Sequence, residues 1–288
     1  MRIAIIGADG QLGSDLCRVI PKEEQVPLTI NDVDITSKEA TSAVIGKIAS
    51  SIVINTAACH NVDACEDNAG PAFAVNTFGV RNLALACQGV GAALVHISTD
   101  YVFDGEKKSP YTEEDIPRPL SIYGISKLAG EYCIRYILGK YFIVRTTGLY
   151  GAAGCLGKGG GNFVENIIKQ ANTKTELKVV NDEVLSPTYA FDLAKQIYQL
   201  VKTHYYGLYH IVNHGQCSWY EFTRKIFQLL ERDVKVQPIN SSAFPAKARR
   251  PKYSALGNAN LNKMKLDNMP AWEDALKAYL IAKGHLKV

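Results

Sequence analysis

The opening of the chain constrains its fold most. Arg2 to Ile6 is an apolar run that breaks at once into Gly7-Ala-Asp-Gly10-Gln-Leu-Gly13. A strand, a tight glycine turn and an amphipathic helix (SDLCRVI) form the entry of a dinucleotide-binding unit. The first glycine permits the turn, the second lets backbone N–H groups approach a pyrophosphate, and the third lets helix pack on strand. The spacing is G-x-x-G-x-x-G, which alone would suit an ordinary strand–helix turn equally well. Its place ahead of repeated strand–helix units decides the matter: VPLTI, SIVINTAAC, ALVHIS and YFIVRTTGLYG read as successive strands. The predicted fold class is α/β, a Rossmann-type doubly wound parallel sheet over residues 1–150. Residues 151–288 are expected to form mainly a smaller C-terminal substrate lobe, with segments returning to the core.

Composition supports one large α/β unit. At 288 residues and 47% hydrophobic content the chain can bury a sizeable core. A net charge of +4 without a long Lys/Arg cluster makes nucleic acid an unexpected partner. No apolar run approaches the roughly 20 residues of a membrane span. RIAII is too short for a signal peptide, so a cytoplasmic protein without a membrane partner is expected. Seven cysteines lack C-x-x-C spacing, which argues for reduced thiols. Cys59 and Cys65, near His60 and Asp63, fit no zinc pattern, and no metal site is expected.

The chemistry is predicted between Ala92 and Glu131. ALVHIS is a buried strand, and Thr99, Asp100 and Tyr101 stand where it ends. After a polar loop, SIYGISKLAGEY reads as a helix on which Tyr123 and Lys127 lie one turn apart on one face. Ligands of open α/β sheets lie beyond the carboxyl ends of the strands, so the Thr99 hydroxyl should meet this pair there. That is the layout of a carbonyl reductase, with tyrosine as proton donor and a nicotinamide as hydride donor. The Tyr-x-x-x-Lys spacing itself is weak evidence: it occurs four times, at Tyr123/Lys127, Tyr136/Lys140, Tyr198/Lys202 and Tyr279/Lys283. Tyr136 should lie roughly 20 Å further along the helix. Tyr198 and Tyr279 follow no strand ending in Ser/Thr. A free tyrosine titrates near 10, and Lys127 together with the oxidised nicotinamide is expected to lower that value.

Cofactor selection is less marked. The end of the second strand offers Thr29, Asn31, Asp32 and Asp34 but no arginine for a 2′-phosphate, so NADPH and NADH both remain open. Asp34 suits either an adenine contact or a cap before the next helix. Ala57 and Ala58 are small enough to let a cofactor lie close, and Asn76 suits either a brace on a strand end or a solvent-facing position.

GADGQLG, DIT, NTAAC, VHISTDYVFDG, SIYGISKLAGE, VRTTGLYG, GNF and RRPKYS together resemble the extended short-chain dehydrogenase/reductases. More narrowly, the chain resembles the dTDP-4-dehydrorhamnose reductase family over nearly its whole length. The resemblance implies Thr99, Tyr123 and Lys127 as catalytic residues. It implies Gly7, Gly10, Gln11, Leu12 and Gly13, then Asp34 and Ile35, then Ala57, Ala58 and Cys59 beside the cofactor, joined by Tyr123 and Lys127. Substrate contacts are implied at Thr99, Asp100, Tyr101, Gly148, Asn162 and Arg250, with Arg249 and Lys252 as further candidates for phosphate. The implied substrate is a nucleotide-linked 4-keto deoxysugar; a homodimer and a magnesium requirement stay open. One departure stands out. Family members often read RTSWVYG where this chain reads RTTGLYG, so Gly148 replaces a tryptophan. The expectation is a wider sugar pocket, or one filled by Tyr150 or by the Ala152–Gly161 loop; a glycine needed only for a turn is the competing account. Two alternative functions stand beside the reductase: a reductase or epimerase on another nucleotide sugar, and a non-catalytic reductase-like regulatory subunit.

Overall fold

The computed structural model describes residues 1–153, 161–243 and 246–287. Most of the Ala152–Gly161 loop therefore lies outside the described residues. The strands are β1 (Ile3–Ile6), β2 (Gln25–Leu28), β3 (Ile52–Asn55), β4 (Ala93–Thr99), β5 (Tyr141–Thr146), β6 (Leu149–Tyr150), β7 (Glu176–Val180), β8 (Val184–Leu185), β9 (Thr188–Tyr189), β10 (Gly207–His210), β11 (Cys217–Ser218) and β12 (Lys235–Ile239). The helices are α1 (Gln11–Val19), α2 (Lys38–Ile48), α3 (Val62–Asp67), α4 (Ala69–Phe73), α5 (Val80–Val90), α6 (Ile122–Ile137), α7 (Phe163–Gln170), α8 (Ala190–Leu200), α9 (Trp219–Leu229), α10 (Ala259–Lys263) and α11 (Trp272–Ala282).

Six parallel strands form the central sheet in the order β2-β1-β3-β4-β5-β10. The continuous apolar run of β1 is explained by burial on both faces. Ile3 and Ile5 pack with Leu12, Leu16, Leu193 and Ile197 under α1 and α8. Ala4 and Ile6 pack with Ile45, Leu83 and Ile134 under α2, α5 and α6. The chain goes from β1 to β2 on one side and returns to β3 on the other. This reversal opens a crevice at the carboxyl ends of β1 and β3, where open α/β sheets bind ligands.

A second apolar cluster gathers Tyr150, Val164, Leu177, Phe222, Ile226, Trp272, Leu276 and Tyr279. Three two-stranded ladders accompany it: β6 with β9, β7 with β12, and β8 with β11. Ser218 and Glu221 form a capping box at the start of α9. The second half also returns to the first, because α8 and β10 complete the central sheet layers.

Candidate active site

The glycine turn is built for close backbone approach. Gly7 has φ +76°, and a Cβ there would lie 2.7 Å from Thr56 Oγ1. A Cβ on Gly13 would fall 2.0 Å from the Gly7 carbonyl oxygen, so α1 packs directly on the turn. Gly10 caps α1 with no side chain, and the first turn carries no acidic residue. The uncapped amides and the positive end of the helix thus face the crevice, which suits a pyrophosphate. Leu12 is buried in the core, so it can offer only backbone. Gln11 crosses to the other strand ends, its Nε2 donating to the Leu149 carbonyl at 3.0 Å.

The end of β2 holds no uncommitted acid. Asp32 accepts from the Thr29 N–H and hydroxyl. Asp34 accepts from the Thr36 N–H at 2.9 Å and hydroxyl at 2.7 Å in a local turn, and the cap of α2 is Ser37, not Asp34. Ile35 is a core side chain, and its carbonyl accepts from Asn82.

At the end of β3 the exit loop is gripped by Asn76. Its Oδ1 accepts from the Cys59 N–H at 2.9 Å, and its Nδ2 donates to the Cys59 carbonyl at 2.8 Å and to Ser126 Oγ at 3.0 Å. Asn76 is fully buried, which makes it a brace. It sits in a π-helical turn, Ala74–Gly79, wedged between α4 and α5; such bulges recur at functional sites. Gly130 of α6 leans on this turn so closely that a Cβ would lie 2.2 Å from the Asn76 carbonyl. A Cβ on Gly124 would lie equally close to the Tyr101 carbonyl, at 2.2 Å. The two glycines in the YGISKLAGE segment let α6 settle onto the strand ends, and the expected constellation assembles there.

Thr99 ends β4, and Tyr123 and Lys127 occupy the first two turns of α6. The Thr99 hydroxyl is hydrogen-bonded to Tyr123, and burial still holds the Tyr123 phenol above its ordinary pKa of 10. Lys127 is not among the groups that shift it, and the expected lowering by Lys127 together with the oxidised nicotinamide concerns the cofactor-bound state. The Tyr101 ring stands edge-on to the Tyr123 ring, with centroids 5.7 Å apart.

Lys127 is 1% exposed. Its Nζ donates to the Ile97 carbonyl at 2.5 Å and faces His96 Nε2 at 3.3 Å. Burial pushes its pKa down to about 8, against the upward pull of Glu131. Hydrogen-bond polarity acts in the same direction. The Ala57 N–H donates to Asn55 Oδ1 at 3.1 Å, so Asn55 turns its amide donor to His96 Nδ1 at 3.2 Å. The ring then carries its proton on Nε2, which meets Lys127. An ammonium there would oppose donor to donor, whereas a neutral amine accepts. A buried chain of polar groups therefore joins the loop after β3 to the lysine.

The residues expected at the sugar divide into two groups. Arg250 reaches the front of the site, its Nη2 pairing with Asp63 Oδ2 at 2.8 Å, and Tyr101 and Glu183 lie close enough to interact with it. Lys252 pairs with Asp182 at 2.5 Å, and Arg249 is exposed. Asp100 is instead buried behind Thr99. It accepts from the hydroxyls of Thr99 at 3.0 Å and Thr147 at 2.8 Å and from Ser254, and burial raises its pKa. Asn162 is buried as the cap of α7, accepting from the Glu165 N–H and donating to the Gly151 carbonyl and Tyr279 hydroxyl. All three of its polar bonds serve the fold.

Gly148 has φ +54°, and a Cβ would lie 2.5 Å from Leu185 Cδ1. The turn explains the glycine, and a side chain would begin against Leu185 and Pro187. Tyr150 does not swing in to fill a pocket, being 1% exposed and stacked on Tyr189 at 5.7 Å. The other three Tyr/Lys pairs lie elsewhere. Tyr136 is 91% exposed, Tyr198 bonds Glu24, and Tyr279 is locked into the second apolar cluster.

A parallel sheet with a glycine-turn entry, and a Thr–Tyr–Lys set at its strand ends, defines the class: an extended short-chain dehydrogenase/reductase. The chain belongs to the family described as the RmlD substrate binding domain, whose model matches residues 1–284. It is 38% identical over 281 residues to the spore coat polysaccharide biosynthesis protein SpsK of Bacillus subtilis, covering 97% of this chain and 96% of that one. It is 33% identical over 289 residues to a dTDP-4-dehydrorhamnose reductase of Sinorhizobium fredii, covering 96% of each. Among solved structures, the dTDP-4-dehydrorhamnose reductase of Clostridium acetobutylicum superimposes with TM-score 0.94 at 42% identity, covering 98% of this chain and 99% of that one. The Bacillus anthracis dTDP-4-dehydrorhamnose reductase, solved in complex with NADP, gives TM-score 0.93 at 41% identity, with coverage of 98% and 99%.

Proposed function

We propose that this protein reduces the 4-keto group of a nucleotide-linked deoxysugar with NADPH or NADH, converting dTDP-4-dehydro-L-rhamnose to dTDP-L-rhamnose. The observation that carries this reading is the Thr99–Tyr123–Lys127 set at the carboxyl end of β4. Gly7, Gly10 and Gly13, with the backbone of Gln11 and Leu12, would hold the pyrophosphate of the cofactor. Ala57 to Cys59 would flank its reactive end. The nicotinamide, when bound, supplies the hydride.

Tyr123 supplies the proton. Burial keeps its phenol protonated at neutral pH, the state a reduction requires as negative charge develops on the ketone oxygen. Thr99, oriented by its bond to Asp100, aligns that oxygen. Lys127, with its pKa near 8, stabilises the phenolate left behind and can return a proton to it near neutrality. Arg250 is the residue placed to exchange its Asp63 partner for a substrate phosphate. Residues 151–288 supply most of the sugar-binding lobe. No helix among the described residues is long and apolar enough to cross a membrane.

The test is steady-state turnover. Purified protein with dTDP-4-dehydro-L-rhamnose should consume NADPH or NADH, read at the nicotinamide absorbance band. A panel of other nucleotide 4-keto sugars measures selectivity. Binding of cofactor without turnover on any of them would refute the reductase reading in favour of a non-catalytic subunit.

A further inference from the structure

The loop beside the proposed cofactor site carries a feature that the reductase chemistry does not use. Cys59 Sγ and Cys65 Sγ stand 4.0 Å apart. Cys59 lies in the exit loop of β3 and is half-buried; Cys65 projects from α3 and is 1% exposed. Both sulfurs are close enough to Tyr123 to act on its phenol electrostatically. The pair is also mechanically coupled to the site. Asn76 holds the backbone N–H and carbonyl of Cys59, and the same amide donates to Ser126 Oγ, which in turn donates to the Tyr123 carbonyl at 2.8 Å.

We propose that Cys59 and Cys65 are a reversible dithiol–disulfide pair, oxidised by hydroperoxides, whose closure distorts the cofactor loop and stops turnover. The regulatory part rests on the reading of Ala57 to Cys59 as the loop flanking the cofactor. Cys59, the more exposed sulfur, is the one that meets the oxidant. Its thiolate attacks the peroxide, forming an S–O bond as the O–O bond breaks, and the departing oxygen leaves as water or alcohol. The Cys65 sulfur then attacks the sulfenic sulfur, forming the S–S bond and releasing water. Two thiols lose two electrons and two protons, and one hydroperoxide is reduced. Burial and the neighbouring Cys59 sulfur push the Cys65 thiol up to about 12, which disfavours it as the first sulfur to meet the oxidant.

Closure has a structural cost that provides the switch. A disulfide requires about 2.05 Å between sulfurs, so the pair must close by roughly 2 Å from 4.0 Å. The Cys59 backbone is held by two hydrogen bonds of ordinary length, and the short helix α3 packs against α6. Closing the gap by a shift of the loop or of the helix, rather than by side-chain rotation alone, moves an element that borders Tyr123. A reductant restores the present geometry.

The experiment treats reduced full-length protein with hydrogen peroxide, then maps peptides by mass spectrometry. NADPH affinity and turnover are measured before oxidation, after it, and after dithiothreitol. The expected result is a Cys59–Cys65 cross-linked peptide, at least a tenfold loss of NADPH affinity, and recovery of both thiols and turnover on reduction. Cys65→Ala should keep basal turnover, form no cross-link, and retain NADPH affinity at the peroxide dose that closes the wild-type pair. Cys65→Ser provides the same test with a side chain of similar size. A missing cross-link overturns the proposal. So does a cross-link that leaves affinity and turnover unchanged, or equal loss of affinity in the Cys65 variants. If the reduced protein neither binds NADPH nor turns over, the functional reading and the switch fail together, while the peptide map still decides whether the sulfurs pair.

Discussion

Lys127 and Glu131 lie one turn apart on α6, and both are 1% exposed. Their surroundings differ sharply. Glu131 receives Arg145 through Nε at 2.9 Å and Nη2 at 2.7 Å, and accepts the Ser98 hydroxyl at 2.6 Å. The guanidinium also lies over the Phe103 ring, 5.2 Å from its centroid. Lys127 has no carboxylate in contact among the described residues; a carbonyl and a neutral imidazole are its neighbours. The same helix thus buries one charge with a bidentate partner and the other without. The paired charge fixes α6 to β4 and β5. The unpaired one has its pKa pushed down to about 8 by burial, which suits the proton handling proposed beside Tyr123.

The largest expected effect falls on the unpaired side. Tyr123→Phe should preserve folding and cofactor affinity while turnover drops by about 10²–10⁴-fold. Tyr136→Phe, at a 91% exposed position, should act like wild type, and the reverse result would move the chemistry away from Lys127. The paired side is tested next. Glu131→Gln leaves the Arg145 guanidinium buried without its anion and should cost about 3–5 kcal/mol of stability, measured by denaturant unfolding. A loss below about 1 kcal/mol would show that Arg145 is not held by Glu131 in the way its geometry indicates. A smaller loss is expected at the exit of β5. Gly148→Ala places a side chain at φ +54° and against Leu185, and should destabilise by about 1–3 kcal/mol. Gly148→Ala with wild-type stability but an altered Michaelis constant for the keto-sugar would return Gly148 to the substrate pocket.

The parts legible in the sequence were those carried by local pattern. The glycine turn, the buried strands and the position of Tyr123 at the start of α6, beyond the end of β4, all follow from short-range spacing and chain context. What was not legible depends on residues far apart in sequence. Glu131 and Arg145 read as an ordinary helix charge and an ordinary strand residue until the sheet brings them together. Asn76 was open between brace and surface because its partners, Cys59 and Ser126, lie on two other elements. Asp100 and Asn162 matched motif positions, yet their polar atoms serve Thr99, Thr147 and the cap of α7. Gly148 is ambiguous in the sequence for a related reason: an absent side chain gives no sign of whether a pocket or a turn requires it. The Cys59–Cys65 contact joins the exit loop of β3 to the short helix α3, and a six-residue spacing alone does not mark two cysteines as neighbours.

Burial of Lys127 should cost stability in exchange for the proposed proton transfer, and Lys127→Met measures that cost. Its pKa near 8 lies below the ordinary 10.5, so the unfolded chain binds more protons between those values. The penalty is therefore fully present below about pH 8 and fades as pH rises toward 10.5. It corresponds to about 3 kcal/mol, less roughly 1 kcal/mol for the lost hydrogen bond to the Ile97 carbonyl. Unfolding free energies of the two proteins, measured across that range, should show Lys127→Met inactive yet more stable than wild type at neutral pH. The advantage should shrink steadily under alkaline conditions. A variant less stable than wild type at neutral pH, or a difference that does not change with pH, would show that burial of Lys127 carries no such penalty.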